Sequence, residues 1–134
     1  MIRNFLCLAG VVVLLSGCVA VHESKHVSEC KQGQVLRHVV LFKFKDDTSA
    51  DQVREIESAF CALPSKVDAI YDFEWGTDVS VEGRAQGFTH CFFVSFRSED
   101  GRAEYIPHPA HKEFGQIVGP HLDKVLVIDY WTKQ

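Results

Sequence analysis

The sequence of 134 residues lacks the marks of several protein classes. It has only four prolines, and its 14 lysines and arginines are scattered without a basic run. We therefore expect neither a low-complexity chain nor a protein that binds nucleic acid through clustered cations. With 46% hydrophobic residues and a net charge of −4, the composition is typical of one packed domain.

No apolar run reaches the roughly 20 residues that a membrane-spanning helix needs. The run from Phe5 to Leu15 follows Arg3 and has the length of a signal peptide. It leads into Leu15-Ser16-Gly17-Cys18, which resembles the bacterial lipobox. The sequence thus predicts a lipoprotein signal peptide at 1–17, and a lipidated Cys18 with a polar, flexible tether at 18–33.

The predicted signal peptide and lipobox indicate that the protein is located in the bacterial cell envelope and is anchored to a membrane by lipid. In a Gram-negative cell, the resemblance to bacterial lipoproteins implies the outer membrane, facing the periplasm, because no Asp follows Cys18. The alternative is ordinary secretory cleavage in which Cys18 has no special part.

The cysteine count excludes a full disulfide framework. Cys7 leaves with the signal peptide and Cys18 takes the lipid, so Cys30, Cys61 and Cys91 remain. Three is odd, although one disulfide among them stays open in an oxidising compartment. Cys61 lies between Phe60 and Leu63 on a predicted helix, and Cys91 lies opposite His90 on its strand, so we expect packed thiols at both positions.

The rest of the chain, 34–134, alternates between strand and helix patterns. Apolar residues alternate in four segments and recur at helical spacing between them. Ser49 or Thr48 can begin the first helix, and Pro109 the last. The predicted strands are Leu36–Lys45, Ala69–Asp78, Phe88–Phe96 and Lys124–Trp131, with helices before Pro64, at Ser98–Ile106 and from Pro109. The order βαββαβ predicts an α+β, ferredoxin-like protomer.

Two of these strands have an apolar face that we expect to lie away from the helices. It carries Val40 and Phe42 on the first strand, with Phe92, Val94 and Phe96 on the third. Exposure of so large an apolar area to water is unfavourable, so we expect a second copy of the chain to cover this face. Two facing sheets would form a homodimeric α+β barrel that encloses a cavity.

Four side chains could carry chemistry in such a cavity: His38, His90, Tyr105 and His111. His38 and His90 lie on the apolar strand faces, where burial favours the neutral imidazole. His111 lies near a helix N-terminus, where the dipole also disfavours a cation, and is the predicted general base. Tyr105 is the predicted hydrogen-bond donor to a carbonyl or enolate oxygen. The alternative for each histidine is an ordinary hydrogen-bonded core residue.

The pair His108-x-x-His111 does not indicate a metal site. Pro109 lies between the two histidines, and no third ligand follows at metal-binding spacing. We expect neither a metal nor another cofactor.

Four separated motifs resemble the stress-responsive A/B barrel (Dabb) family over about residues 35–131. They are Arg37–Lys45, Trp75–Val79, Gly87–His90 and Tyr105–His111, in that order. The resemblance implies a ferredoxin-like protomer in a dimeric α+β barrel. One plant member is a polyketide cyclase that uses the histidine and tyrosine of a Tyr-x-x-His-Pro-x-His motif. By resemblance these match His111 and Tyr105, and its other pocket histidines match His38 and His90.

Three functions agree with this sequence, in the order in which we favour them. The first is an anchored module that binds a small apolar or aromatic molecule in a His/Tyr-lined cavity. The second is a cofactor-free, cyclase-like enzyme of aldol type, with His111 as base and Tyr105 as oxyanion partner. The third is a dimerisation domain whose core is filled by its own phenylalanines.

Overall fold

The chain folds into one sheet of four strands with its helices on one side, in a computed structural model that describes residues 33–133. The predicted signal peptide and Cys18 lie outside these residues. The elements are β1 (Leu36–Phe44), α1 (Ala50–Cys61), β2 (Asp72–Thr77), β3 (His90–Phe96), α2 (Glu99–Tyr105), α3 (Pro109–Val118) and β4 (Leu122–Trp131). Their order confirms the predicted pattern.

The sheet is antiparallel throughout and has the strand order β2-β3-β1-β4. In its centre Val40 of β1 lies opposite Phe92 of β3 and Val127 of β4. The first and last strands of the chain are thus neighbours, as the ferredoxin-like order requires. The predicted fold class is confirmed.

Local signals fix where the helices begin. Ser49 accepts a hydrogen bond from the backbone N–H of Gln52, whose side chain bonds back to the Ser49 backbone. This capping box satisfies two N–H groups that the first turn would otherwise leave unpaired. Pro109 occupies the first turn of α3, and the His108 ring nitrogen caps that helix.

The core lies between the helices and the face of the sheet that carries Val40 and Phe42. Phe60 of α1 stacks on Phe92 with a centroid distance of 4.2 Å and packs on Phe114 of α3 at 4.6 Å. We expected this sheet face to point away from the helices, and that expectation is wrong. Both faces of β1 and β3 are apolar, so alternation alone did not identify which one the helices cover.

The opposite side of the sheet, the outer face, is formed by Val39, Leu41, Phe93, Leu126, Ile128 and Tyr130, which alternate with the helix-facing residues. Leu126, Ile128 and Tyr130 of β4 are 41%, 48% and 44% exposed. A row of three large apolar side chains on an edge strand is unusual for a surface in water.

The two cysteines within the described residues are free thiols. Cys61 is exposed on α1, contrary to the packed position that we expected, while Cys91 is half-buried on the outer face. Burial, with Glu57 near Cys61 and Glu74 near Cys91, raises the pKa of both thiols. Cys30 lies outside the described residues. Among residues 33–133, no helix has the length and hydropathy to cross a bilayer.

Candidate functional site

A cavity of about 400 Å³ lies between strands β1 and β4 and helices α2 and α3. Most of its lining is apolar and includes Val40, Phe42, Phe60, Phe114, Val118, Leu122, Val125 and Val127. Three polar side chains complete it: His38 from β1, Tyr105 from α2 and His111 from α3. The structure therefore brings together three of the four predicted site residues, inside one protomer rather than between two sheets.

The bend between α2 and α3 places Tyr105 beside His111. Helix α2 ends at Tyr105, and the backbone N–H of His108 donates to the Tyr105 carbonyl at 3.0 Å. The chain then turns, and α3 begins at Pro109 with the His108 ring accepting from the Ala110 N–H at 3.2 Å. The two rings are thereby 4.3 Å apart between centroids, at an angle of 40°.

One hydrogen bond fixes which nitrogen of His111 carries a proton. Its Nδ1 lies 2.9 Å from the carbonyl oxygen of Ile106. A carbonyl oxygen can only accept, so Nδ1 donates. In the neutral ring this leaves the lone pair on Nε2, which is the form that a general base needs.

Tyr105 is 1% exposed, and burial raises the pKa of its hydroxyl. Tyr105 lines the cavity, and among residues 33–133 no hydrogen bond engages its hydroxyl oxygen. A phenol that stays protonated there can donate a hydrogen bond to a ligand oxygen.

The raised pKa of Tyr105 predicts a change in the stability of the fold at alkaline pH. Above the ordinary value of 10.0, the unfolded chain loses this proton while the folded chain keeps it. The free energy of unfolding should then fall with pH, by at most about 1.4 kcal/mol per pH unit for this group. Urea unfolding at several pH values above 10.0 measures the slope. Tyr105→Phe should reduce it.

The matched control is Tyr71→Phe, because Tyr71 is 48% exposed and lies outside the cavity. We expect that variant to keep the alkaline slope of the parent chain. Equal slopes for Tyr105→Phe and the parent would contradict the assigned effect of burial.

Sequence reasoning missed two charged residues that hold His38. The Nδ1 of His38 donates to Asp129 Oδ1 at 2.6 Å, and Arg102 donates to Asp129 Oδ2 at 2.8 Å. Asp129 lies in the same helix-facing row of β4 as Val125 and Val127, and it is the acidic residue in that row. That isolated carboxylate in an apolar strand was the available signal. Arg102 gave no such signal, since it lies on a short polar helix.

His90 lies apart from the other three predicted residues. Its Nε2 donates to Glu57 Oε1 at 2.9 Å, and its Nδ1 is 2.9 Å from the Thr89 hydroxyl. The ring lies parallel to Trp75, with centroids 6.2 Å apart. It lines a different depression of about 590 Å³, with Trp75 and Phe88 among the lining residues. Both ring nitrogens thus have partners, and the bond to Glu57 joins β3 to α1.

Residues 36–132 match the family described as Stress responsive A/B Barrel Domain, Dabb. The chain belongs to this family. The resemblance that the four motifs carried is therefore confirmed at the level of the family.

Two relatives of the Dabb domain cover most of their own length in the comparison. The stress-response A/B barrel domain-containing protein HS1 of Arabidopsis thaliana is 45% identical over 95 residues, 71% of this chain and 87% of that protein. Olivetolic acid cyclase of Cannabis sativa is 34% identical over 99 residues, 74% of this chain and 98% of that enzyme.

Two solved structures are also similar to the Dabb domain. A hydroxynitrile lyase from Passiflora edulis is 28% identical with a TM-score of 0.71, covering 75% of this chain and 94% of that one. A ferredoxin-like protein of unknown function from Thermobifida fusca is 25% identical with a TM-score of 0.66, covering 75% and 93%. That bacterial protein is described as dimeric.

Proposed function

We propose that the Dabb domain binds a small, mainly apolar carbonyl compound in the cavity and removes a proton from the carbon next to the carbonyl. The observation that carries this is the His111 tautomer. Because Nδ1 donates to Ile106, the neutral ring offers its Nε2 lone pair as the base, beside the Tyr105 ring. Acid–base catalysis needs such a pair within reach of one ligand.

The proposed step balances without a cofactor. The proton leaves the α-carbon for His111 Nε2, and the C–H electron pair moves toward the carbonyl oxygen. Tyr105 donates a hydrogen bond to the oxygen as its negative charge develops. The resulting enolate can be protonated again, or can attack a second carbonyl in an aldol-type closure.

The relatives give this proposal further support. One is named a cyclase and another a hydroxynitrile lyase, so proteins of this kind carry out reactions on small molecules. By the resemblance, Tyr105 and His111 match the tyrosine and histidine of the cyclase motif. His90 has no part in the proposal, because its nitrogens are engaged by Glu57 and Thr89.

Ligand binding without chemistry is the second candidate. The mainly apolar lining favours it, since such a cavity binds an aromatic or aliphatic molecule through burial alone. Under this alternative, His38, Tyr105 and His111 would only orient the ligand. A domain with a completely filled interior agrees less well with a cavity of about 400 Å³.

Proton exchange separates these candidates without knowledge of the natural substrate. The full-length chain in detergent is incubated in D₂O with the aryl ketone propiophenone, and loss of the α-proton signal is followed by NMR. Exchange faster than in detergent alone supports the enzyme. Binding by calorimetry with exchange at the background rate supports the binding module. Failure to bind any of a series of aryl ketones would contradict both.

We also propose that the domain forms a homodimer through its outer face. The exposed row of Leu126, Ile128 and Tyr130 supplies an apolar surface for a second copy. The dimeric bacterial neighbour supports this arrangement.

We further propose that Cys18 carries the lipid that anchors the protein to the bacterial envelope. The support is the sequence alone: Leu15-Ser16-Gly17-Cys18 after a short apolar run. The acyl chains would have to supply the membrane affinity, because a net charge of −4 does not attract the chain to anionic lipid.

Replacing Cys18 with serine tests the anchor. In a Gram-negative host fed labelled palmitate, we expect the parent chain to be labelled and to sediment with membranes. Cys18→Ser should lose the label because it lacks the thiol that is acylated. Cys7→Ser is the matched control and should keep it, since Cys7 precedes the predicted cleavage site. A labelled Cys18→Ser variant would contradict the proposal.

A further inference from the structure

We propose that Arg102 and Asp129 are positioning residues that hold His38 with Nε2 as the acceptor of a hydrogen bond from a hydroxyl group on the substrate. The inference rests on the proposed function and deepens it, because it names a substrate class. It adds hydroxyl-bearing carbonyl compounds to the description of what the cavity binds.

The Asp129 carboxylate has one partner on each oxygen. Oδ1 accepts from His38 Nδ1 at 2.6 Å and Oδ2 accepts from Arg102 at 2.8 Å. A carboxylate only accepts, so the proton of a neutral His38 lies on Nδ1. The same arrangement, a carboxylate that selects one imidazole tautomer, orients catalytic histidines in other proteins.

The His38 ring is held from several sides. Arg102 bonds the second oxygen of Asp129, so the carboxylate that accepts from His38 is itself fixed in place. His38 is 8% exposed, and its ring packs edge-on against Tyr105 and Phe96. The ring therefore has little room to turn.

Nε2 of His38 then remains as an acceptor that faces the cavity. Among residues 33–133 no hydrogen bond engages it, and His38 lines the cavity. Arg102 and Tyr105 lie one turn apart on α2, whose first turn is capped by Ser98. One helix thus sets both the donor and, through Asp129, the orientation of His38.

The three polar side chains of the cavity consequently offer two acceptors and one donor to a ligand. Tyr105 can donate to a carbonyl oxygen, His111 can take a proton from carbon, and His38 can accept from a hydroxyl. A simple ketone leaves His38 without a partner once water is displaced, which lowers its affinity. A hydroxy-substituted aromatic or aliphatic carbonyl compound satisfies all three groups.

The first experiment reads the tautomer directly. Long-range ¹H–¹⁵N spectra of the full-length chain in detergent distinguish Nδ1–H from Nε2–H at His38. We expect the parent to be mainly Nδ1–H. Asp129→Asn should shift the population toward Nε2–H, since the amide can donate to Nδ1. Arg102→Met keeps the accepting carboxylate and should stay mainly Nδ1–H, but with broader His38 signals because Asp129 has lost its second partner. Arg102→Lys should restore the parent signal.

Arg97→Met is the matched control, because Arg97 lies over the exposed Tyr71 ring outside the cavity. It should leave the His38 signals unchanged. Nε2–H in the parent chain, or identical His38 signals in Asp129→Asn and the parent, would overturn the inference. Thermal unfolding of each variant checks that it folds.

The second experiment compares the three hydroxyacetophenones with their methoxy counterparts by calorimetry. For at least one isomer we expect the hydroxyl to improve the dissociation constant about fivefold. That advantage should vanish in Asp129→Asn while the methoxy compound binds as before. No hydroxyl preference for any isomer would overturn the substrate class. Normal tautomer and binding results without α-proton exchange would instead overturn only the proposed catalysis.

Discussion

His111→Ala is expected to reduce α-proton exchange of propiophenone by roughly 10²- to 10⁴-fold, the usual contribution of a positioned general base. The hydrogen bond from Nδ1 to Ile106 leaves Nε2 as the base in the parent chain, and alanine provides none. Ketone affinity should change little, because the surrounding wall of Val40, Phe114 and Val127 is kept. Exchange rates by NMR and dissociation constants by calorimetry measure the two effects separately.

Tyr105→Phe is the companion variant and keeps the ring that packs on His111 and His38. It removes the hydroxyl that would stabilise the enolate, and a loss of about 10²-fold is expected. His121→Ala serves as control, since His121 lies in the turn before β4 and outside the cavity lining. Unchanged exchange in His111→Ala would rule out His111 as the base. Equal losses of binding and exchange would favour the binding module.

Most of the fold could be predicted because its signals are local. Alternation along β1 and β3, Ser49 before α1, and Pro109 at the start of α3 each act over a few residues. The bounds of the elements differ from the predicted ones by a few residues at strand ends, where β2 begins at Asp72 rather than Ala69. Strand ends depend on the partner strand, which a local pattern does not contain.

The packing of the sheet could not be predicted in the same way. On β1, Val40 and Phe42 point to the helices while Val39 and Leu41 point away, and both pairs are apolar. The choice between them depends on which face fits Phe60 and Phe114 of the helices. That is a property of three-dimensional packing. It explains why the cavity lies between the sheet and the helices of one copy, and not between two copies as we expected.

The site shows the same division between local and long-range information. Tyr105 and His111 are six positions apart across one bend, so a local motif brings them together. His38 lies on β1 and is held by Asp129 of β4, which is 91 positions away in the chain. His90 shares an alternating apolar face with Phe92, yet Glu57 on α1 engages its ring instead. Alternation assigned it to a face and could not identify its partner.

Ile128→Glu is expected to convert the proposed homodimer into monomers at micromolar concentration. Ile128 is 48% exposed at the centre of the row on β4, opposite Val39 of β1. In a symmetric dimer the substitution places a carboxylate in each copy of an apolar interface. Desolvating an unpaired charge costs several kcal/mol, so the dissociation constant should rise by at least about 10³-fold. Sedimentation equilibrium of the full-length chain in detergent measures it.

Ser58→Glu provides the matched charge on the opposite side of the molecule. Ser58 is exposed on α1, away from the outer face, and the new carboxylate would lie one turn after Arg54. This variant should stay dimeric, which would show that the position of the charge matters rather than its presence. A dimeric Ile128→Glu chain would exclude the outer face as the interface. A monomeric parent chain would exclude the dimer itself, and the exposed row on β4 would then need another partner to cover it.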